Sequence, residues 1–321
     1  MNVLLRFHFP CLLLALLMAL VPVTSSLAAE PVAKTKKVLF IGIDGCRFDA
    51  VQAANAPNLD RLMAEGCYDA DCQILGDRFT GNDTISGPGW SSILTGVWAD
   101  KHGVLDNDFK VKHYDQYPHF FARLKEVHPA AQTASVVSWI PIQQHIVSAA
   151  DQAKLYPPIG KDYTASDVMA AKAAAKILTE SDPEALFIYI GQVDETGHKD
   201  GFHPTVPTYI KAIENADACV GTVLDAVKAR KTFDKEDWLV LVTADHGGKG
   251  TGHGGGHNVP EIRNSFVIVS GPAAKQGPLD EQTYLVDVPV TALAHLGISA
   301  DPKWNLDGHP IGLKENAAAA K

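Results

Sequence analysis

The sequence predicts an α/β fold: a three-layer α/β/α sandwich with a mostly parallel central sheet. Three observations carry that prediction. Continuous apolar runs recur at residues 37–43, 186–190 and 238–243, each the length of a strand buried on both faces. Segments with helical spacing separate them, as the crossovers of a parallel sheet require. Each run is followed within a few residues by an aspartate, namely Asp44, Asp194 and Asp245. Binding crevices of such sheets lie at the carboxyl ends of the strands, so the three acids are expected to meet there.

The chain opens with Arg6 and His8, an apolar run over 11–21 bracketed by Pro10 and Pro22, and small residues over 24–29. This pattern predicts a secretory signal peptide over 1–28. The run is well short of the roughly 20 residues that cross a bilayer, so no stable membrane anchor is expected and the protein is assigned to the periplasm or the exterior. Residues 29–321 are enough for one large domain.

The strand at 37–43 ends in Asp44-Gly45, and a helix follows over 57–65 with Pro57 at its start and Gly66 at its stop. Next, the polar, glycine-rich approach from Asp83 turns into the apolar run 90–94, which places Ser86 at a loop-to-helix junction. Backbone N–H groups and the helix dipole favour an anion at such a junction, although a serine before Gly-Pro is also an ordinary turn or cap residue. Residues 98–117, rich in His, Asp and aromatics, read as a surface loop. A helix over 120–127, a strand over 133–139 and a loop around Pro157, Pro158 and Gly160 come next.

An alanine-rich helix over 164–179 stops before Asp182-Pro183 and leads to the strand 186–190. The longest helix is predicted over 205–231, from apolar residues at Ile210, Ile213, Ala216, Val220, Val223, Leu224 and Val227. The strand 238–243, a strand over 266–269 ending at Gly271-Pro272, and a helix over 288–296 complete the pattern.

Among 321 residues, 37 acids outnumber 28 Lys and Arg for a formal charge of −9, and removal of the leader would take away Arg6 but no acid. That balance argues against a nucleic-acid scaffold, whose footprint is basic. It is compatible with a small phosphate-bearing substrate where bound cations neutralise the site. Past the leader stand Cys46, Cys67, Cys72 and Cys219. In an oxidising compartment Cys67 and Cys72 are close enough in sequence for a small disulfide loop, and Cys46 with Cys219 requires the fold to join them. No C-x-x-C pair exists, which speaks against thiolate metal sites.

Asp194 and His198 stand four residues apart, on one face of a helical turn. Asp245-His246 is a second pair, and His253 and His257 follow in and beside the glycine-rich segment 247–256. Aspartate and neutral histidine are natural ligands of zinc and similar divalent ions, and their grouping on loops after strands points to two ions. Taken singly, each piece is as well explained by a cap, a turn or a flexible loop.

Taken together the motifs resemble a known family. Gly42-Ile-Asp44-Gly45, Ser86-x-Pro88, Thr95-Gly96, His102-Gly103, Asp194-x-x-x-His198, Asp245-His246-Gly247, His253-Gly254 and Gly271-Pro272 occur in the order found in the alkaline phosphatase superfamily. They look most like its type I phosphodiesterase/nucleotide pyrophosphatase branch. The resemblance implies a single alkaline-phosphatase-like catalytic domain over 29–321 that holds two divalent ions, with zinc the expected metal. Asp194, His198 and His253 would hold one ion. Asp44, Asp245 and His246 would hold the other together with the nucleophile Ser86, which takes the place of the branch's usual threonine. Asn107 matches an asparagine that donates to a nonbridging phosphoryl oxygen. Thr84 is the alternative nucleophile, at an offset from Pro88 that does not fit, and His257 is the alternative to His253, because the segment after His253 is one residue longer than the family pattern.

The expected activity is hydrolysis of a phosphodiester or pyrophosphate through a phosphoseryl intermediate, with developing charge held by the ions, Asn107 and helix-start N–H groups. A neutral amide at position 107 suits a singly charged diester, whereas Lys101, Lys110, Lys112 and Lys161 keep a phosphomonoesterase in view. Sulfatases use a Cys/Ser-x-Pro-x-Arg motif where this chain has Ser86-Gly-Pro-Gly-Trp90. A binding protein that holds metal and phosphate without turnover is the reading from a different class.

Overall fold

The computed structural model describes residues 33–76 and 81–315, together with Leu4, Arg6 and His8. The leader read over 1–28 therefore lies almost wholly outside the described residues, as does the tail beyond residue 315. The strands are β1 (Thr35–Ile43), β2 (Gly66–Gln73), β3 (Thr133–Val137), β4 (Gln152–Leu155), β5 (Ala185–Ile190), β6 (Glu236–Thr243), β7 (Asn264–Ser270) and β8 (Gly277–Pro278). The helices are α1 (Phe48–Ala53), α2 (Pro57–Glu65), α3 (Ser86–Thr95), α4 (Ala99–His102), α5 (Phe120–Val127), α6 (Thr164–Glu180), α7 (Gln192–Asp200), α8 (Pro207–Lys228), α9 (Pro260–Arg263) and α10 (Asp287–His295).

One eight-stranded sheet runs in the order β4-β3-β5-β1-β6-β7-β2-β8. All neighbouring pairs are parallel except those made by β7, which runs antiparallel to both β6 and β2. Side chains of β1 alternate between the two faces, so Leu39, Ile41 and Ile43 enter a core with α1, α2, α6 and α8, while Val38 and Phe40 enter a second core with α3, α5 and α10. The sandwich thus has helices on both faces, as the continuous apolar runs require.

The central trio β5-β1-β6 positions the site. Ile43 stands opposite Ile190, and Gly42 opposite Thr243, so the three strands finish at one level. Asp44 directly follows β1, Asp245 comes two residues after β6, and Asp194 lies on the first turn of α7.

Several expectations change. Strands β2, β4 and β8 have no apolar alternation to announce them; β4 forms a sheet edge just before the loop read around Pro157, Pro158 and Gly160, and a π-helical turn at Ile142–Ile146 precedes it. Segment 98–117 is not simply a surface loop: His102 and Phe109 point inward and are buried. His119 is likewise a buried ring, packed against Phe120, Phe121 and Phe187. The Cys67–Cys72 disulfide is not made. Both thiols are free on β2, where five residues of extended chain separate their Cα atoms by roughly 16 Å, far beyond the about 7 Å a disulfide spans. Cys46 and Cys219 share one core and are likewise free.

Candidate active site

Asp44 leaves β1 into a turn at Gly45, whose φ of +63° suits glycine. A β-carbon there would lie 2.5 Å from Asp194 Oδ1, so only glycine lets the β1 turn and α7 close on each other. The Gly45 N–H donates to Asp245 Oδ1 at 3.1 Å, tying the ends of β1 and β6. Two clusters result. Asp194, His198 and His253 form one, and Asp44, Asp245 and His246 the other, with the potential ligand atoms of each within 4.8 Å of one another. The clusters adjoin, because the His246 and His253 rings stack at 3.7 Å between centroids.

The α7 helix turns Asp194 and His198 to the same side, with His198 Nε2 3.4 Å from Asp194 Oδ2. His253 Nε2 is 3.5 Å from Asp194 Oδ1 and 2.9 Å from His198 Nε2. In the other cluster His246 Nε2 lies 3.2 Å from Asp245 Oδ2 and 3.7 Å from Asp44 Oδ1. Every one of these imidazoles donates its Nδ1–H to a backbone carbonyl: His198 to Thr251, His246 to Gly247 and His253 to Thr84. That fixes the tautomer and turns the three Nε2 atoms inward, the arrangement metal-binding histidines adopt.

Burial pushes Asp44 well above the usual carboxylate range, and the charges of Asp245 and Asp194 push it further. Burial raises Asp245 to about 6. Burial alone would raise Asp194 too, but its hydrogen bond to His198 and the nearby His246 and His253 hold it below the ordinary value. The same hydrogen bond, which Asp194 accepts, lifts His198 to about 8, whereas burial, reinforced by His246, drops His253 to about 3. Asp194 Oδ1 and Asp245 Oδ2 are buried without a hydrogen-bond partner among the described residues. Three converging carboxylates, two of them with an orphaned oxygen, and three inward-facing nitrogens form a donor set that suits divalent cations.

Ser86 is the first residue of α3, not its cap; Ile85 holds the cap position in extended conformation without a side-chain bond. The hydroxyl is therefore available, and Ser86 Oγ lies 3.4 Å from both Asp44 Oδ1 and His246 Nε2. Asn107 reaches the same helix start, where its Oδ1 accepts the Gly87 N–H at 2.6 Å. A β-carbon on Gly87 would come within 2.7 Å of that oxygen. This changes the expectation that helix-start N–H groups are open to an anion: Gly87 is engaged by Asn107, Pro88 has none, and Gly89 donates to Ile85.

Thr84, the alternative nucleophile, is buried and turned away, its hydroxyl bonded to the backbone of the glycine-rich segment. His257 joins neither cluster, and its Nε2 is 2.6 Å from the Asn82 carbonyl. Two residues escaped sequence reasoning: the Trp90 indole and the Tyr189 hydroxyl both donate to Asp44 Oδ2, at 2.8 and 2.7 Å. Trp90 stands one helical turn beyond Ser86, a spacing that could have flagged it. A cleft of about 600 Å³ opens beside His198, lined by Ile159, Lys161, Thr164, Gln192, Glu195 and Lys199.

An α/β sandwich with paired acid-histidine clusters and a helix-start serine at the ends of its central strands defines a protein of the alkaline phosphatase superfamily. The family model for type I phosphodiesterase/nucleotide pyrophosphatase matches residues 38–264, and the chain belongs to that family. It is 24% identical over 254 residues to mouse ectonucleotide pyrophosphatase/phosphodiesterase family member 7, covering 73% of this chain and 54% of that protein. The chain thus spans about half the length of that relative. Among solved structures, an inactive variant of murine ectonucleotide pyrophosphatase/phosphodiesterase 5 in complex with AMP superposes with a TM-score of 0.61 at 16% identity, covering 83% of this chain and 96% of that one. A 2-O GAG sulfatase superposes with a TM-score of 0.68 at 15% identity over 87% of this chain and 73% of its own, a likeness of fold alone. Among the described residues no helix is long and apolar enough to cross a membrane.

Proposed function

We propose that the protein is an exported hydrolase that cleaves phosphodiester or pyrophosphate bonds of small substrates, using two divalent ions, with zinc expected, and a phosphoseryl intermediate on Ser86. Export rests on the leader predicted over 1–28. The observation that carries the reading is the position of Ser86 Oγ, 3.4 Å from Asp44 Oδ1 and from His246 Nε2, two members of one ligand cluster. Asp194, His198 and His253 would hold one ion and Asp44, Asp245 and His246 the other. Bound there, divalent ions supply the positive charge that makes a serine hydroxyl acidic and offsets charge on the phosphoryl oxygens.

The chain's own part is aim and retention. Asp44 and His246 orient the Ser86 hydroxyl, whose oxygen bonds to phosphorus as the bond to the leaving oxygen breaks; water then cleaves the seryl ester and restores Ser86. With Oδ1 engaged by Gly87, Asn107 has its NH₂ donors left for a nonbridging oxygen.

Three of the four lysines that could serve a monoester are occupied. Lys101 binds Asp307 and the Asn305 carbonyl, Lys110 pairs with Asp108, and Lys112 donates to the Phe109 carbonyl. Lys161 lies 3.9 Å from Glu195 in the cleft beside His198 and is the one that sustains a phosphomonoesterase as the second reading. Hydrolysis of bis-p-nitrophenyl phosphate and p-nitrophenyl phosphate by the zinc-loaded protein decides between them. Diester preference that is lost with Ser86→Ala, by about a thousandfold or more, and with a chelator is expected. Monoester preference would select the second reading, and turnover of neither would sink both.

A further inference from the structure

Five hydrogen bonds join the residues just before α3 to the glycine-rich segment that carries His253. The Thr84 hydroxyl donates to the His253 carbonyl and accepts the Gly256 N–H at 2.8 Å. The Thr84 carbonyl accepts from His253 Nδ1 at 2.8 Å. Asp83 Oδ1 accepts the Gly255 N–H at 2.6 Å as well as the Thr84 N–H at 2.8 Å, and His257 Nε2 meets the Asn82 carbonyl at 2.6 Å. Thr84 is 2% exposed, so the bonds made by its hydroxyl and its carbonyl are shielded from water.

We propose that Thr84 is a positioning residue, a strap that holds His253 in place for its ion and fixes its distance to Ser86 only two residues along the chain. The assignment rests on the function proposed above and deepens it: it couples one ligand cluster to the nucleophile of the other. A segment with seven glycines among residues 247–256 has little side-chain packing of its own, and backbone freedom there must be removed by bonds from outside. The Thr84 hydroxyl supplies two of those bonds, one at His253 itself and one at Gly256, three residues further along the segment. Its carbonyl sets the His253 tautomer. Outer-shell partners of metal-binding histidines typically govern affinity by 10- to 100-fold.

The test is zinc affinity, read by competition with a chromogenic chelator, for the full protein, Thr84→Val and Thr84→Ser. Valine keeps the volume and removes both hydroxyl bonds; serine keeps the bonds. Thr84→Val is expected to weaken one of the two ions by about 10- to 100-fold, to leave the other unchanged, and to speed amide exchange at Gly256. Thr84→Ser is expected to match the parent in all three. Unchanged affinity for both ions in Thr84→Val, equal weakening of both, or a serine variant as impaired as the valine variant would each overturn the strap. Hydrolysis does not enter these readouts. A protein that binds its ions through the strap yet cleaves neither nitrophenyl ester would therefore refute the proposed activity and leave the strap in place.

Discussion

Asp44 divides its labour between two oxygens. Oδ2 accepts from the Trp90 indole and the Tyr189 hydroxyl, and Oδ1 is left to face Ser86 and His246. Hydrogen bonds to a charged acceptor are the strong ones, and here they favour the carboxylate against burial and against Asp194 and Asp245. Trp90→Phe keeps the ring and deletes one donor; it is expected to weaken metal binding by about 10- to 100-fold, read by chelator competition, with a smaller change in thermal stability. Unchanged affinity would assign the indole to packing alone. At this scale the sequence was partly legible. Residue type and spacing single out Asp44, Asp194-x-x-x-His198 and Asp245-His246, because candidate metal ligands are acids or imidazoles. Trp90 and Tyr189 read as core aromatics, because nothing in a sequence says that a buried N–H or O–H points at a carboxylate.

Among elements, the long apolar strands β1, β5 and β6 and the periodic helix α8 were plain in the sequence, since burial on both faces or along one stripe writes itself as a pattern. Strand β2, with Asp69 and Asp71 exposed or half-exposed and a register shift before Cys72, carries no such pattern and owes its conformation to pairing with β7. The end of the sheet away from the site is fastened by Arg230, just past α8. Its guanidinium bonds Glu236 at the start of β6, Asp182 and the carbonyls of Leu178 and Ser181. Burial alone would raise Glu236, but Arg230, Trp238 and Thr232 hold it down to about 2, against an ordinary 4.5. A depressed carboxylate stabilises the fold fully above its unfolded value and loses that contribution as pH falls toward the folded one. Glu236→Gln is accordingly expected to cost about 3 kcal/mol in urea unfolding at pH 7, because Arg230 loses its buried counter-charge. The gap between variant and parent should narrow between about pH 4.5 and pH 2; a gap that does not change across that range would remove the ion pair as the cause.

For the whole molecule, the convergence of Asp44, Asp194 and Asp245 means that the fold assembles like charge where its central strands end. Cations that bind the native state and not the unfolded chain offset this. At a hundred times Kd each contributes about 2.7 kcal/mol. A chelator is therefore expected to lower Tm by at least about 5 °C, at the roughly 2–4 °C per kcal/mol of larger domains. A Tm indifferent to chelator and to added zinc would count against ion binding at the clusters.

The four described thiols carry a consequence of another kind. Burial raises Cys67 to about 11 and Cys219 to about 12, and lifts Cys46 and Cys72 as well, so little thiolate exists in the folded protein for peroxide to attack. A chain that reaches its native state with these sulfurs unpaired waits for no oxidant and needs no isomerase to sort partners. Such maturation is indifferent to redox poise, equally suited to reducing and to oxidising surroundings.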